Sequence, residues 1–184
     1  MSRSVLMSIR PEFVQAIRDG RKVLEIRKTV PKADTPFKVY MYCTRMQERV
    51  IEWVHDGDDI YGDTYHGKPF PVKCATRGCA ETWIYGGSGK VVGEFTCRRI
   101  AVCDLKAESV AQFAKFGCVT PRSIHEYAGS RDRLYGLYVD DFVWYREPLE
   151  VDDFGLKRPP QSWCYVQQVD GITPCVTIIL EEEG

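Results

Sequence analysis

Ten consecutive residues, Gly20-Arg21-Lys22-Val23-Leu24-Glu25-Ile26-Arg27-Lys28-Thr29, carry the densest set of groups able to do chemistry. A lysine three positions before a carboxylate, with arginines on either side, can hold phosphate or a polar base edge. The same set can stabilise an oxyanion or move a proton. Either task needs a rigid frame, and the flanking residues predict one. Pro11 to Asp19 reads as a short helix with Phe13, Val14 and Ile17 as its apolar stripe, and Gly20 supplies the left-handed residue that ends it. The period then changes to two, with Leu24 and Ile26 on one face and Val23, Glu25 and Arg27 on the other. Two readings stay open: a solvated edge strand with ordinary surface charges, or a wall whose Glu25 and Arg27 pair or line a polar pocket.

Three other stretches offer reactive or binding groups. In Val91-Val92-Gly93-Glu94-Phe95, Gly93 removes bulk beside the Glu94 carboxylate; the plainer reading is an exposed strand carboxylate. Phe37 to Cys43 alternates, with Phe37, Val39, Met41 and Cys43 on one face and Lys38, Tyr40, Tyr42 and then Thr44 on the other. That second face is either packing with wet hydroxyls or the wall of a cleft. In Arg158-Pro-Pro-Gln-Ser-Trp-Cys-Tyr165, two prolines fix an extended backbone and then present Gln161, Ser162 and Trp163. An amide, a hydroxyl and an indole in a row suit stacking on a flat ring, or else Trp163 plugs the core. His125 lies on a helical stripe with no acid or nucleophile at a fixed spacing, and reads as a surface residue.

The totals exclude several classes. The formal net charge of −1 over 184 residues argues against binding duplex DNA through charge alone. The balance is uneven, however: residues 1–49 hold eleven Lys/Arg against five Asp/Glu, leaving the remainder acidic. No run approaches the length of a membrane span, and Met1 to Ser8 lacks the apolar core of a secretory signal, so the expected location is cytoplasmic with reduced thiols. Eight cysteines invite a metal reading, but Cys74 and Cys79, with His55 and His66 upstream, lack a second tight pair; no metal or cofactor is expected. Cys43, Cys97, Cys103 and Cys175 sit in apolar runs as small hydrophobes.

The remaining elements set the frame. Val5 to Ile9, Lys90 to Leu105, Leu134 to Tyr145 and Cys175 to Leu180 read as strands. Glu108 to Phe116 reads as a helix stopped by Gly117, and Thr120-Pro121 opens another that ends at Gly129. Arg45 to Lys90 is a long excursion with a hairpin over Val50–Val54 and Thr82–Tyr85, and its Gly86-Gly87-Ser88-Gly89 tip lacks the features of a phosphate loop. Strands joined by turns, with a few short flanking helices, predict a single α+β domain over 1–184: a small, mostly antiparallel barrel with an insertion at about 45–90.

Gly20-Arg21-Lys22 with Glu25-Ile26-Arg27-Lys28, then Val39 to Thr44, Val91 to Phe95, Tyr135-Gly136 and Pro159 to Tyr165 together resemble the ASCH domain of the PUA-like superfamily, in the form found in phage and bacterial proteins. The resemblance implies a PUA-like β-barrel with a cleft at the helix–strand corner, in a superfamily that binds RNA and reads modified bases. It makes RNA or a modified nucleoside the expected partner, held by Arg21, Arg27, Lys28, Tyr42, Thr44, Gln161, Ser162 and Trp163. The alternative is a hydrolase of acylated or otherwise modified nucleobases, or a ribonuclease, with Lys22, Glu25 and Glu94 as its catalytic groups. One branch of the family hydrolyses the acetyl amide of N4-acetylcytidine with a lysine that Lys22 matches and a threonine whose place Glu25 takes. A protein-interaction adaptor using the 45–90 excursion is a third reading.

Overall fold

The computed structural model describes residues 4–45, 50–56, 59–61, 75–77, 80–84, 89–169 and 171–172, and gives the backbone alone for the strands between 50 and 84. The chain begins with β1 (Ser4–Ile9), α1 (Pro11–Arg18), β2 (Leu24–Arg27) and β3 (Phe37–Cys43). The excursion contributes β4 (Val50–Asp56), β5 (Asp59–Tyr61), β6 (Ala75–Arg77) and β7 (Ala80–Ile84). Then come β8 (Lys90–Cys97), β9 (Ile100–Cys103), α2 (Ala107–Gly117), α3 (Pro121–Ala128), β10 (Leu134–Tyr138), β11 (Asp140–Leu149), a 3-10 turn at Val151–Phe154, and β12 (Trp163–Val166).

Five strands form the main sheet in the order β11-β8-β3-β1-β12, and β2-β10-β9 form a second. β1 runs parallel to β3, and the other pairings are antiparallel. All six residues of β1 are buried because both faces of its sheet are covered, which explains its unbroken apolar run. Val5, Met7 and Ile9 meet Val39, Met41, Val92, Phe95 and Leu137 in a core on one face. On the other face, Leu6, Tyr40, Tyr42, Val91 and Tyr145 pack beneath Leu149, Val151, Phe154 and Leu156. A third cluster joins Leu24 of β2 to Val110, Phe113, Ala114 and Ile124 of α2 and α3. Each fully buried side chain of this size contributes about 1.5–3 kcal/mol.

Two expectations change. Among the described residues the strands form separate sheets, and no ladder closes a barrel; the architecture is α+β and mostly antiparallel. The tyrosine face of β3 is core: Tyr40 is fully buried and Tyr42 is 6% exposed. The excursion's hairpin is present as the β4–β7 pairing, extended by β5 and β6 into a four-stranded antiparallel sheet. Cys74, Cys79, His66, the Gly86-Gly87-Ser88 tip and the Cys175–Leu180 segment lie outside the described residues.

Local signals explain most of the ends. Gly20 has φ 70° behind α1, and the Thr120 hydroxyl accepts from the Ser123 amide at the start of α3. Gly117, by contrast, is the last helical residue of α2, and Cys118 takes the left-handed position at φ 54°. Gly117 serves close packing instead, since a Cβ there would sit 2.5 Å from Ile26 Cδ1. At Gly93 the obstacle is backbone: an added Cβ would lie 2.5 Å from the Val143 carbonyl oxygen across the β8–β11 ladder. Gly93→Ala is therefore expected to lower the unfolding free energy by about 1–3 kcal/mol, read as a shift of the urea midpoint with an unchanged slope.

Cys43, Cys97 and Cys103 are buried, whereas Cys118 and Cys164 are partly exposed. Burial pushes the Cys97 thiol up to about 11, against a partial opposing effect of the Arg99 backbone. Because the folded value is raised above the unfolded one, the stability this thiol contributes is full below about pH 9 and is lost as the pH climbs towards 11. Native labelling with a disulfide reagent is expected to modify Cys118 and Cys164 and to spare Cys43, Cys97 and Cys103. Rapid native labelling of Cys97 would contradict the burial.

Candidate functional site

The corner at Gly20 sends β2 along the edge of the second sheet, and its alternation decides which side chains enter the interior. Leu24 and Ile26 turn to α2 and α3. Glu25 pairs in register with Leu137, a member of the inter-sheet core, and so points between the sheets with Arg27. Lys22, Glu25 and Arg27 are 2%, 4% and 8% exposed, three charges in a place normally reserved for apolar groups.

Their partners explain how they are tolerated. Lys22 Nζ donates to the Gly117 carbonyl at 2.8 Å, at the negative end of α2, and lies 4.7 Å from the centre of the Phe13 ring. It also stands 3.3 Å from Glu25 Oε2. That spacing suits an ion pair, yet among the described residues Oε2 has no hydrogen-bond donor and Arg27 Nε no acceptor. The other carboxylate oxygen, Oε1, is 2.8 Å from Arg27 Nη2. Arg27 continues across to the main sheet, donating from Nη2 to the Ser8 carbonyl at 2.6 Å and from Nη1 to the Ser162 hydroxyl at 3.4 Å. Ser8 is tied to the same segment, its hydroxyl donating to the Pro160 carbonyl and its amide to the Ser162 carbonyl.

Beside Ser162, Trp163 is half-buried. Its indole N–H is shared between the carbonyl and hydroxyl oxygens of Thr29 at 3.2 Å each, and its ring meets Tyr165 edge-on at 5.5 Å. The proline-fixed segment thus holds a hydroxyl and an indole directly over the end of β2. Five of the residues singled out in the sequence, Lys22, Glu25, Arg27, Ser162 and Trp163, come together here.

The others sit elsewhere. Glu94 lies opposite Tyr40, on the face of the main sheet away from Glu25. There it accepts from the Tyr145 hydroxyl at 2.6 Å and pairs with Lys38 at 2.6 Å. Burial first, and then the bond to Glu94, push the Tyr145 phenol up. Tyr42 and Thr44 belong to the end of β3, away from Arg27. Burial also raises the Tyr42 phenol, against a smaller opposing pull from Arg45. Arg21 is exposed and pairs with Asp19 at 2.9 Å, Lys28 lies over the Tyr127 ring of α3, and Gln161 is exposed. Ser8, Phe13, Thr29 and the Gly117 carbonyl carry no signal in the sequence, because each acts through backbone or ordinary packing groups. Among the described residues no cluster of His, Cys, Asp or Glu could hold a metal, and no helix is long and apolar enough to cross a membrane.

Solved structures share this arrangement of sheets and helices. The ASCH protein of Zymomonas mobilis superposes with a TM-score of 0.59 at 18% identity, covering 90% of this chain and 88% of the other. The chain has the ASCH fold. A Tyr-to-Phe variant of the Zymomonas protein gives the same TM-score at 17% identity, over 90% of this chain and 91% of that one. A Ser-to-Ala variant also matches at 0.59 and 17%, covering 90% and 89%. At such identity the ASCH likeness is one of fold. No protein-family model and no curated protein matches the sequence.

A carboxylate clasped by two buried cations is expected to be costly to break. Glu25→Ala would leave Lys22 and Arg27 buried without an anion, and a loss of about 3–5 kcal/mol is expected in urea unfolding. Glu94→Ala, removing a carboxylate that is 15% exposed and whose ion-pair partner Lys38 is 29% exposed, is expected to cost clearly less. Equal losses at the two positions would contradict the difference in burial.

Proposed function

We propose that this ASCH-fold chain binds RNA or a modified nucleoside beside Trp163, against the buried Lys22, Glu25 and Arg27. One observation carries the reading: two cations and one carboxylate are sunk between the sheets with one positive charge unmatched, beside a half-exposed tryptophan. An unmatched buried charge is costly, and an electronegative oxygen arriving from outside offsets that cost. A base carbonyl or a phosphate oxygen is such a group. Glu25 Oε2, which has no donor of its own, suits an exocyclic amino group, and Trp163 suits stacking on a ring. Lys22 is held by the α2 terminus, so it enters as a fixed donor with little reorganisation to undergo.

A hydrolase acting on an acylated base is the second reading, and the 3.3 Å approach of Lys22 to Glu25 is the observation that favours it. In that version the pair supplies the acid and base, because Glu94 lies across the main sheet and serves no shared reaction centre with Lys22. The Lys22–Glu25 spacing is equally what a binding clasp requires, and the surplus of positive charge makes binding the stronger reading.

Titrating labelled single-stranded RNA and a panel of nucleosides, plain and acylated, tests both. Salt-sensitive binding is expected, weakened by about 1–3 kcal/mol in Trp163→Ala and at least as much in Arg27→Met, with the fold of each variant checked by circular dichroism. Absence of binding to every probe would reject the proposal. Turnover of an acylated nucleoside that Lys22→Ala abolishes would move the assignment to the hydrolase.

A further inference from the structure

Two adjoining grooves flank the segment that delivers Ser162 and Trp163, and neither is lined by Lys22, Glu25 or Arg27. The first, a cavity of about 480 Å³, is floored by Tyr42 and bounded by Arg45, Gly89, Asp152, Lys157 and Arg158. The second, of about 630 Å³, shares Lys157, Arg158 and Pro159 with it and continues to Gln161. Gln161 is followed directly by Ser162, the residue that Arg27 contacts. Because they share Lys157, Arg158 and Pro159, the grooves form one track along the segment that leads to Ser162.

The charge along this track is one-sided. Arg45, Lys157 and Arg158 are exposed and join no ion pair among the described residues. Glu150, which also borders the first groove, is occupied by Lys90 at 2.6 Å, leaving Asp152 as the one acidic group opposing three cations. The Arg45 side chain lies across Gly89, which leaves room for it by carrying no Cβ. The Tyr42 phenol, raised by burial, remains a protonated donor at the floor. A surface with three cations, a phenol donor and room for a phosphodiester has the make-up of a backbone-tracking groove. The rigid Pro159-Pro160 step fixes its distance from the base site. The four steps from Arg158 to Ser162 span at most roughly 13 Å, a reach of a few nucleotides.

We infer that this groove, lined by Arg45, Lys157 and Arg158, is a phosphate-binding subsite that holds the backbone of single-stranded RNA flanking the nucleotide seated over Arg27. The inference rests on the proposed RNA-binding function and adds to it a second contact surface and a preference for oligonucleotides over nucleosides. Lys157 and Arg158 project into solvent, so substituting them leaves the core and the Lys22–Glu25–Arg27 clasp untouched.

The test measures a labelled single-stranded RNA octamer by anisotropy and an unphosphorylated nucleoside by calorimetry, on the wild type, on Lys157→Glu/Arg158→Glu, on the neutral Lys157→Gln/Arg158→Gln, and on Arg27→Met. Charge reversal is expected to weaken octamer binding about tenfold or more and to lower the salt slope by roughly 1.4, the value for two phosphate contacts on a single strand. The neutral pair is expected to fall between, and nucleoside binding is expected to be unchanged in both. Octamer affinity and salt slope within twofold of wild type in the charge-reversed protein, with binding still lost in Arg27→Met, would overturn the subsite and leave the base site standing. Binding that survives Arg27→Met but falls on charge reversal would support the groove and reject the base site. Failure of the wild type to bind the octamer would overturn both.

Discussion

The Glu25 carboxylate, clasped between Lys22 and Arg27 inside the protein, is the interaction on which the rest of the arrangement depends. It joins three parts of the chain: the β2 corner, the end of α2, and the place where β1 meets the start of β12. Through Lys22 it fastens the β2 corner to the C-terminal carbonyl of α2. Through Arg27 it fastens the second sheet to β1 and to the start of β12. A buried ion pair of this kind is weak grounds for stability as such, since well-packed apolar groups often do as well. Its presence, with one cation left over, is the feature on which the proposed ligand site rests.

The frame around the clasp follows from that demand. Charges so deep need a strand whose other face is fully apolar, and β2 has Leu24 and Ile26 against α2 and α3. The glycine at 117 lets Ile26 approach the last turn of α2 closely enough for the Gly117 carbonyl to reach Lys22. Opposite, the Pro159-Pro160 step sets Ser162 against Arg27 and Trp163 on Thr29. The site is thus assembled from rigid elements, an arrangement that favours recognition of a fixed shape over adaptation to many.

Much of this is legible in the residues, and the limits have physical causes. The helix–glycine–strand corner, the shared face of Glu25 and Arg27, and the proline-fixed Ser162 and Trp163 are local signals, carried by φ preferences and a period of two. Their meeting is not local: Lys22 finds its carbonyl 95 positions away and Arg27 finds Ser162 135 positions away. Alternation assigns residues to faces within a strand but cannot match faces between distant strands. Glu94 therefore groups with Lys22 in the sequence although it lies across the main sheet. The tyrosine face of β3 reads as either packing or a cleft wall because its cover is the irregular stretch from Leu149 to Leu156, which has no period to read. The expected barrel fails for a related reason, since the number and type of strands do not reveal whether their edges pair.

The most direct measurement is nuclear magnetic resonance of the Arg27 guanidinium, assigned by its loss in Arg27→Lys and followed while single-stranded RNA is added. In the free protein the Nε–H has no acceptor among the described residues. Seating a ligand oxygen on the clasp is expected to shift the Arg27 N–H signals and slow their exchange with water. RNA that binds, as reported by shifts elsewhere, while the Arg27 signals stay where they were would contradict a ligand site built on Lys22, Glu25 and Arg27.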